Sequence, residues 1–302
     1  MTPPRTVADP IDIGKVAAPP RIRPPHPGRV FVRRAERFAH LAAANPLADF
    51  LSFMAAIARG QAAALAALPE LGKLKIFARQ GVRPLDRTNW RPDASWRRAL
   101  AVILDRLGGE PLTAATRAAA QRLAGSPAAT LDALAHKAVC FEDGQTEAAE
   151  GCLVFAALQV CWTGKAGTIV PETVKFSSPS GACPVCGSPP VASIVHSAGS
   201  LAGARFLVCS LCATEWYLVR IKCTNCDSTK GIAYLEIEGG HGLIKAETCD
   251  ECGTYSKIVY TEKDPAAEPF ADDLASLELD ILVDGADWRR AVPNPFLLPG
   301  VG

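Results

Sequence analysis

Between Cys183 and Cys252, eight of the chain's eleven cysteines fall into four CxxC pairs: Cys183/Cys186, Cys209/Cys212, Cys223/Cys226 and Cys249/Cys252. Thiolates two residues apart can grip one metal ion from a tight turn, and two such turns supply the four sulfurs of a closed tetrahedral site. Twenty-two residues separate the first pair from the second, and twenty-two the third from the fourth, so the segment reads as one unit repeated at a forty-residue offset. A repeat makes each unit complete in itself. The expected ligand sets are Cys183, Cys186, Cys209 and Cys212 for one ion, and Cys223, Cys226, Cys249 and Cys252 for a second. The competing arrangement joins Cys209/Cys212 to Cys223/Cys226 across the ten-residue gap, and the repeat argues against it. Iron and zinc both suit a four-sulfur cage; zinc would make it purely structural and iron would make it redox-capable.

Each unit runs knuckle, strand, hairpin tip, strand, knuckle, strand. The first has strands over 191–195, 205–208 and 215–221 around a small-residue tip. The second has them over 232–237, 243–248 and 255–260 around a glycine-rich tip. Strands this short bury little, so the metal is expected to supply much of the folding free energy. Glycine follows the last cysteine in CPVCG and CDECG, allowing a sharp turn and freeing backbone amides for the sulfurs, while Ala213 and Asp227 hold the equivalent places. His196 and His241 lie near the tips. Four thiolates already close each site, so both are read as exposed loop residues. The Gly199/Gly203 tip lacks the strand-to-helix setting and the lysine of a phosphate loop.

Residues 1–28 hold eight prolines and few large apolar side chains, the composition of a disordered leader. Over 29–165, apolar residues recur at helical spacing, as in Leu47, Phe50, Leu51, Met54 and Ile57, with further helices expected at 93–107, 112–123, 127–140 and 146–162. Asp93 offers an N-cap. Alanine is abundant and no nucleophile or acid/base constellation stands out, so this all-α domain of about six helices is read as a structural or partner-binding surface. Cys140, Cys152 and Cys161 are singletons and read as core thiols. Residues 166–181 read as a linker, 182–222 and 223–261 as the two modules, and 262–302 as an acidic helix and tail. In that last segment Phe270, Leu274, Leu277 and Ile281 mark one amphipathic helix, with Asp272, Asp273, Glu278 and Asp280 on other faces. The fold class is α+β.

At 302 residues, 49% hydrophobic and 21% charged, the chain is ordinary for a soluble protein with real cores. An odd cysteine count, mostly in CxxC pairs, suits a reducing compartment such as the cytoplasm better than a secreted disulfide framework. No uninterrupted apolar run is long enough for a membrane span. Arg33-Arg34 suggests a twin-arginine signal, but Glu36, Arg37 and His40 interrupt the apolar stretch that should follow. Lys and Arg number 18 against 12 Asp and Glu over 29–170, 6 against 7 over 177–261, and 3 against 9 over 262–302. A zinc-ribbon nucleic-acid binder needs a basic stripe, which the cysteine region lacks. A rubredoxin-like electron carrier or thiol oxidoreductase needs redox-active iron or an open CxxC, and stays open at this point.

The stretches CPVCGSPPVAS, RFLVCSLCATEWYLVRIKCTNC, IKAETCDECGTYSKIVYTEKDP, ADDLASLELD and NPFLLPG, and more weakly NPLADFLSF, resemble the formate dehydrogenase accessory protein family, FdhE, over about residues 40–302. The resemblance implies a cytoplasmic, chaperone-like protein, not an enzyme, needed for assembly or maturation of active formate dehydrogenase. It implies two metal ions, iron or zinc, held by the eight cysteines in rubredoxin-like modules. It also implies the formate dehydrogenase catalytic subunit as partner, and supplies no catalytic residue.

Overall fold

Alanine-rich segments with periodic apolar residues fold into helices that pack closely, because small side chains let helix axes approach. The computed structural model describes residues 18–73, 75–141, 147–175 and 181–297. After a two-residue strand β1 (Ile22–Arg23) come α1 (Pro27–Ala42), α2 (Ala48–Ala67), α3 (Ala94–Leu107), α4 (Ala114–Gly125), α5 (Ala128–Cys140) and α6 (Ala148–Ala166). Asp93 caps α3, its carboxylate accepting from the Ser95 amide at 2.8 Å. The central helix is α6. Gly151 through Gly164 are all buried, because α2, α3, α4 and α5 surround it. By length and composition α2 could cross a membrane; half of it is buried, as in a core helix.

The cysteine region follows as β2 (Pro190–Val195), β3 (Arg205–Cys209), β4 (Glu215–Tyr217), β5 (Ile232–Leu235), β6 (Ile244–Cys249) and β7 (Thr254–Tyr260). The chain closes with α7 (Pro269–Ala275), α8 (Leu277–Asp284) and β8 (Arg289–Arg290). All strands join one sheet in the order β1-β4-β3-β2-β7-β6-β5, with β8 added beside β7. Within each unit the strands are antiparallel. The seam between units is parallel, pairing Ser193 with Ile258, Ile194 with Val259 and Val195 with Tyr260.

That seam corrects the picture of two free-standing modules. Every residue of β2 and β3 is buried, and Val185, Ile194, Phe206 and Leu211 share one continuous core with Phe31, Leu153 and Leu158 of the helices. The first unit is built into the helical domain. The second has its own small core, where Ala246 and Tyr255 pack against Leu279 and Val283 of α8.

Three further expectations are corrected. Residues 22–28 of the proline-rich leader are ordered: Ile22 pairs with Trp216 and Arg23 with Glu215, and α1 starts at Pro27. Residues 1–17 lie outside the described residues. The 166–181 stretch is tied down where it is described, with Thr168, Ile169 and Val174 buried and Ile169 bridging Ile76; residues 176–180 lie outside the description. The C-terminal amphipathic helix is two helices, and Ile281 faces solvent, 73% exposed.

The break between α7 and α8 has a cause in the side chains. Ser276 Oγ donates to the Asp272 carbonyl at 2.8 Å, and buried Lys257 donates to the carbonyls of Asp273 and Ser276, each at 2.9 Å. These donors satisfy carbonyls that a continuing helix would have used, so the chain turns. Of the four acids placed on the other faces, Asp272, Asp273 and Asp280 turn inward and Glu278 stays exposed. Asp272 meets Arg37 at 2.6 Å and Asp280 meets Lys257 at 2.5 Å, while Asp273 pairs with Arg290. Arg34, of the arginine pair, is likewise buried, bonded to Glu268 at 3.1 Å and stacked over the Phe270 ring.

Candidate metal centres

Four knuckles carry the cysteines, and all four end on a residue of positive φ: Gly187, Ala213, Asp227 and Gly253. The conformation recurs even where the residue is not glycine, at a cost of about 1 kcal/mol or more. The turn aims backbone N–H groups at sulfur. In the first unit Leu211 and Cys212 donate to Cys209 Sγ, both at 3.4 Å; in the second Asn225 and Cys226 donate to Cys223 Sγ at 3.3 and 3.5 Å. A threonine two residues after a cysteine hydrogen-bonds its sulfur in each unit, Thr214 with Cys212 at 3.2 Å and Thr254 with Cys252 at 3.1 Å.

The sulfurs converge as the repeat requires. Cys183, Cys186, Cys209 and Cys212 form one cluster and Cys223, Cys226, Cys249 and Cys252 the other, with all Sγ atoms of a cluster within 4.8 Å of one another. Cys183 and Cys212 lie 3.7 Å apart, Cys186 and Cys209 3.3 Å, and Cys223–Cys252 and Cys226–Cys249 3.7 Å each. Metal–sulfur bonds of about 2.3 Å in a tetrahedron set sulfur–sulfur edges of roughly 3.8 Å. A disulfide would need about 2.05 Å. The spacing therefore matches a four-sulfur cage, and each cluster could hold one ion.

Proton occupancy agrees with that chemistry. Burial pushes the Cys183 and Cys209 thiols well up, while at Cys186 hydrogen bonds from Cys183, Cys209 and Cys212 overcome burial and draw it well below the usual thiol range. In the second cluster burial pushes Cys223 up to about 12. Burial also acts upward on Cys252, but hydrogen bonds led by those of Thr254 and Asn225 bring it down to about 6. Each cage thus holds thiol protons that an incoming metal ion displaces, so occupancy depends on pH.

The two cages sit in different surroundings. All four cysteines of the first are buried, whereas in the second Cys226 is exposed and Cys252 half-buried. Both knuckles of the first are bonded to the helical domain. The amides of Leu85 and Arg87 donate to the carbonyls of Val185 and Cys186, each at 3.0 Å, and Arg87 Nε donates to the Gly187 carbonyl at 3.2 Å. Gln159 of α6 donates to the Ser210 carbonyl at 2.7 Å. Its side-chain oxygen accepts from Gln61 at 2.9 Å and Arg34 at 3.2 Å, linking α2, α6, α1 and the knuckle.

Sequence reasoning did not select Gln159 or Arg87. Gln159 could have been found as the one amide inside the apolar run from Cys152 to Trp162. Arg87 carries no local signal. The expectation of loop histidines holds for exposed His241 and is corrected for His196, which is half-buried, 2.8 Å from Glu215 and close to Arg23. Cys152 and Cys161 are buried in α6 as expected, and Cys140 is partly so.

A helical domain followed by two four-cysteine clusters on a single tandem sheet defines an α+β protein with two candidate metal centres. Three family models match end to end along it: the FdhE N-terminal region over residues 19–177, the FdhE central domain over 182–220 and the FdhE C-terminal domain over 221–297. The chain belongs to the FdhE family. It is 39% identical over 278 residues to the FdhE homolog of Cronobacter sakazakii, covering 90% of this chain and 89% of that protein. It is 37% identical to the FdhE protein of Escherichia coli O9:H4 with the same coverage. The crystal structure of the FdhE protein from Pseudomonas aeruginosa superposes with a TM-score of 0.80 at 32% identity, covering 93% of this chain and all of that one.

Proposed function

We propose that this protein is a formate dehydrogenase accessory factor that binds the enzyme's catalytic subunit in the cytoplasm and assists its assembly or maturation. Membership of the FdhE family is the observation that carries this reading. In it, Cys183, Cys186, Cys209 and Cys212 ligate one metal ion and Cys223, Cys226, Cys249 and Cys252 a second, iron or zinc. The ions hold a surface in shape, since a closed four-thiolate site leaves no position for substrate. The protein is a scaffold rather than an enzyme. Pull-down with the tagged chain from an anaerobic lysate that contains formate dehydrogenase is expected to recover its catalytic subunit. A catch dominated by nucleic acid, or one without that subunit, rejects the reading.

The exposure of Cys226 favours one second reading, a rubredoxin-like electron carrier, because electron transfer needs a cluster near the surface. That reading requires bound iron that cycles reversibly between two oxidation states in a redox titration. A protein that retains only zinc in cells rules it out.

A further inference from the structure

We infer that the two cages are kinetically distinct, the first a locked structural site and the second an exchange site whose metal passes to and from soft donors such as thiolates. The inference rests on the reading that both cages hold metal. Ligand substitution at a four-sulfur site requires an incoming donor to reach the ion as one cysteine leaves. The leaving thiolate is released to solvent, where it takes up a proton, and the metal keeps its oxidation state throughout. Access to the ion and freedom of a knuckle to swing away therefore decide the rate.

The first cage offers neither. Its four cysteines are 0% exposed, and Val185 and Leu211, in the middle of its two knuckles, are buried in the core shared with the helices. The bonds from Leu85, Arg87 and Gln159 clasp both knuckles from the helical side. Arg87 itself is anchored through a bond from Nη1 to the Val139 carbonyl of α5 at 2.9 Å. Releasing a cysteine here means detaching the unit from the helical domain, an opening drawn from the costly end of local unfolding.

The second cage offers both. Cys226 is exposed, and so are its neighbours Asn225 and Asp227 in one knuckle and Asp250 and Glu251 in the other. Backbone bonds of these knuckles stay within the second unit, as from Cys223 to the Ser228 carbonyl at 2.8 Å and from Asp250 to the Gly231 carbonyl at 2.9 Å. One further tie holds the fourth knuckle, the Arg289 amide donating to the Gly253 carbonyl at 3.0 Å. The Cys223–Cys226 knuckle is tied to β7 of its own unit, Thr224 Oγ1 donating to Ser256 Oγ at 3.4 Å. Cys226 is the first sulfur expected to leave.

The test uses the full chain loaded with zinc alone. Metal content is measured first; fewer than two equivalents overturns the metal reading and this inference with it. The loaded protein is mixed with excess 4-(2-pyridylazo)resorcinol and zinc release is followed by absorbance. Samples are alkylated with iodoacetamide at intervals and mapped by peptide mass spectrometry. Two phases of equal amplitude are expected, separated by about a hundredfold or more in rate. Early alkylation falls on Cys223, Cys226, Cys249 and Cys252, and late alkylation on the other four. Arg87→Ala, which lies outside both cages, is expected to speed the slow phase about tenfold through loss of its clasp and leave the fast phase unchanged. Two equivalents released at one rate, early alkylation of the first cage, or an unchanged slow phase in Arg87→Ala each overturn the inference while leaving the metal reading intact.

Discussion

Arg205 on β3 and Glu247 on β6 meet at 2.7 Å with both side chains out of solvent, joining the two repeat units through a buried ion pair. Arg205 also donates to Ser193 Oγ at 2.9 Å and to the Lys222 carbonyl at 3.2 Å, so most of its fork is used. The pair spans the parallel seam between β2 and β7 and connects units that the sequence presents as separate.

Breaking this pair from one side strands a buried charge. Arg205→Met is expected to destabilise the protein by about 3–5 kcal/mol, because Glu247 loses its partner where water cannot replace it. Arg205→Met combined with Glu247→Leu is expected to recover much of that loss. Urea denaturation of the two single variants and the double variant completes a double-mutant cycle. Single variants that unfold at the wild-type midpoint would show that the pair does not hold the seam.

Loss of the first cage and loss of the second are expected to differ in reach. Cys183→Ser with Cys186→Ser removes two thiols of the first four-cysteine cluster from a unit whose Val185, Phe206 and Leu211 share the helical core, so near-ultraviolet circular dichroism from Trp96 and Trp162 should collapse with it. Formate dehydrogenase activity in cells should be abolished as well. Cys223→Ser with Cys226→Ser disrupts a unit whose core is shared chiefly with α8, and the tryptophan signal should survive. Equal loss of that signal in both variants would contradict the shared core.

Stability should fall on the alkaline side. Burial pushes Cys152 up to about 12, and Cys161, with Ser95 as a small offset, up to about 11, from an ordinary value of 9.0. In each case the folded chain keeps a proton that the unfolded chain gives up, so stability falls as pH rises through that interval. The contribution is fully present below about pH 9 and is lost progressively toward pH 11 and above. Urea midpoints measured between these limits should decline steadily, and Cys152 and Cys161 should resist iodoacetamide in the folded protein near neutral pH. A flat midpoint across the interval would remove burial of these groups as a factor.

Local chemistry by itself determined a great deal. Four CxxC turns at a repeated spacing, glycine after two of them and short alternating strands between them specify two cages, because a knuckle is built from adjacent residues and needs no distant partner. Six helices were legible for the same reason, through periodicity and caps such as Asp93. Only the tertiary structure decided how these pieces combine. The parallel seam, the burial of one cage and exposure of the other, and the inward turn of Asp272, Asp273 and Asp280 depend on partners far away in the chain: Val195 on Tyr260, Cys186 on Arg87, Asp272 on Arg37. Charge pattern reports a side chain's preference for water, and Arg37, Lys257 and Arg290 override that preference once folding brings them within ion-pair distance. The repeat is symmetric in sequence, and the helical domain packs against one unit more closely than the other. That unequal packing makes two chemically equivalent cages physically different.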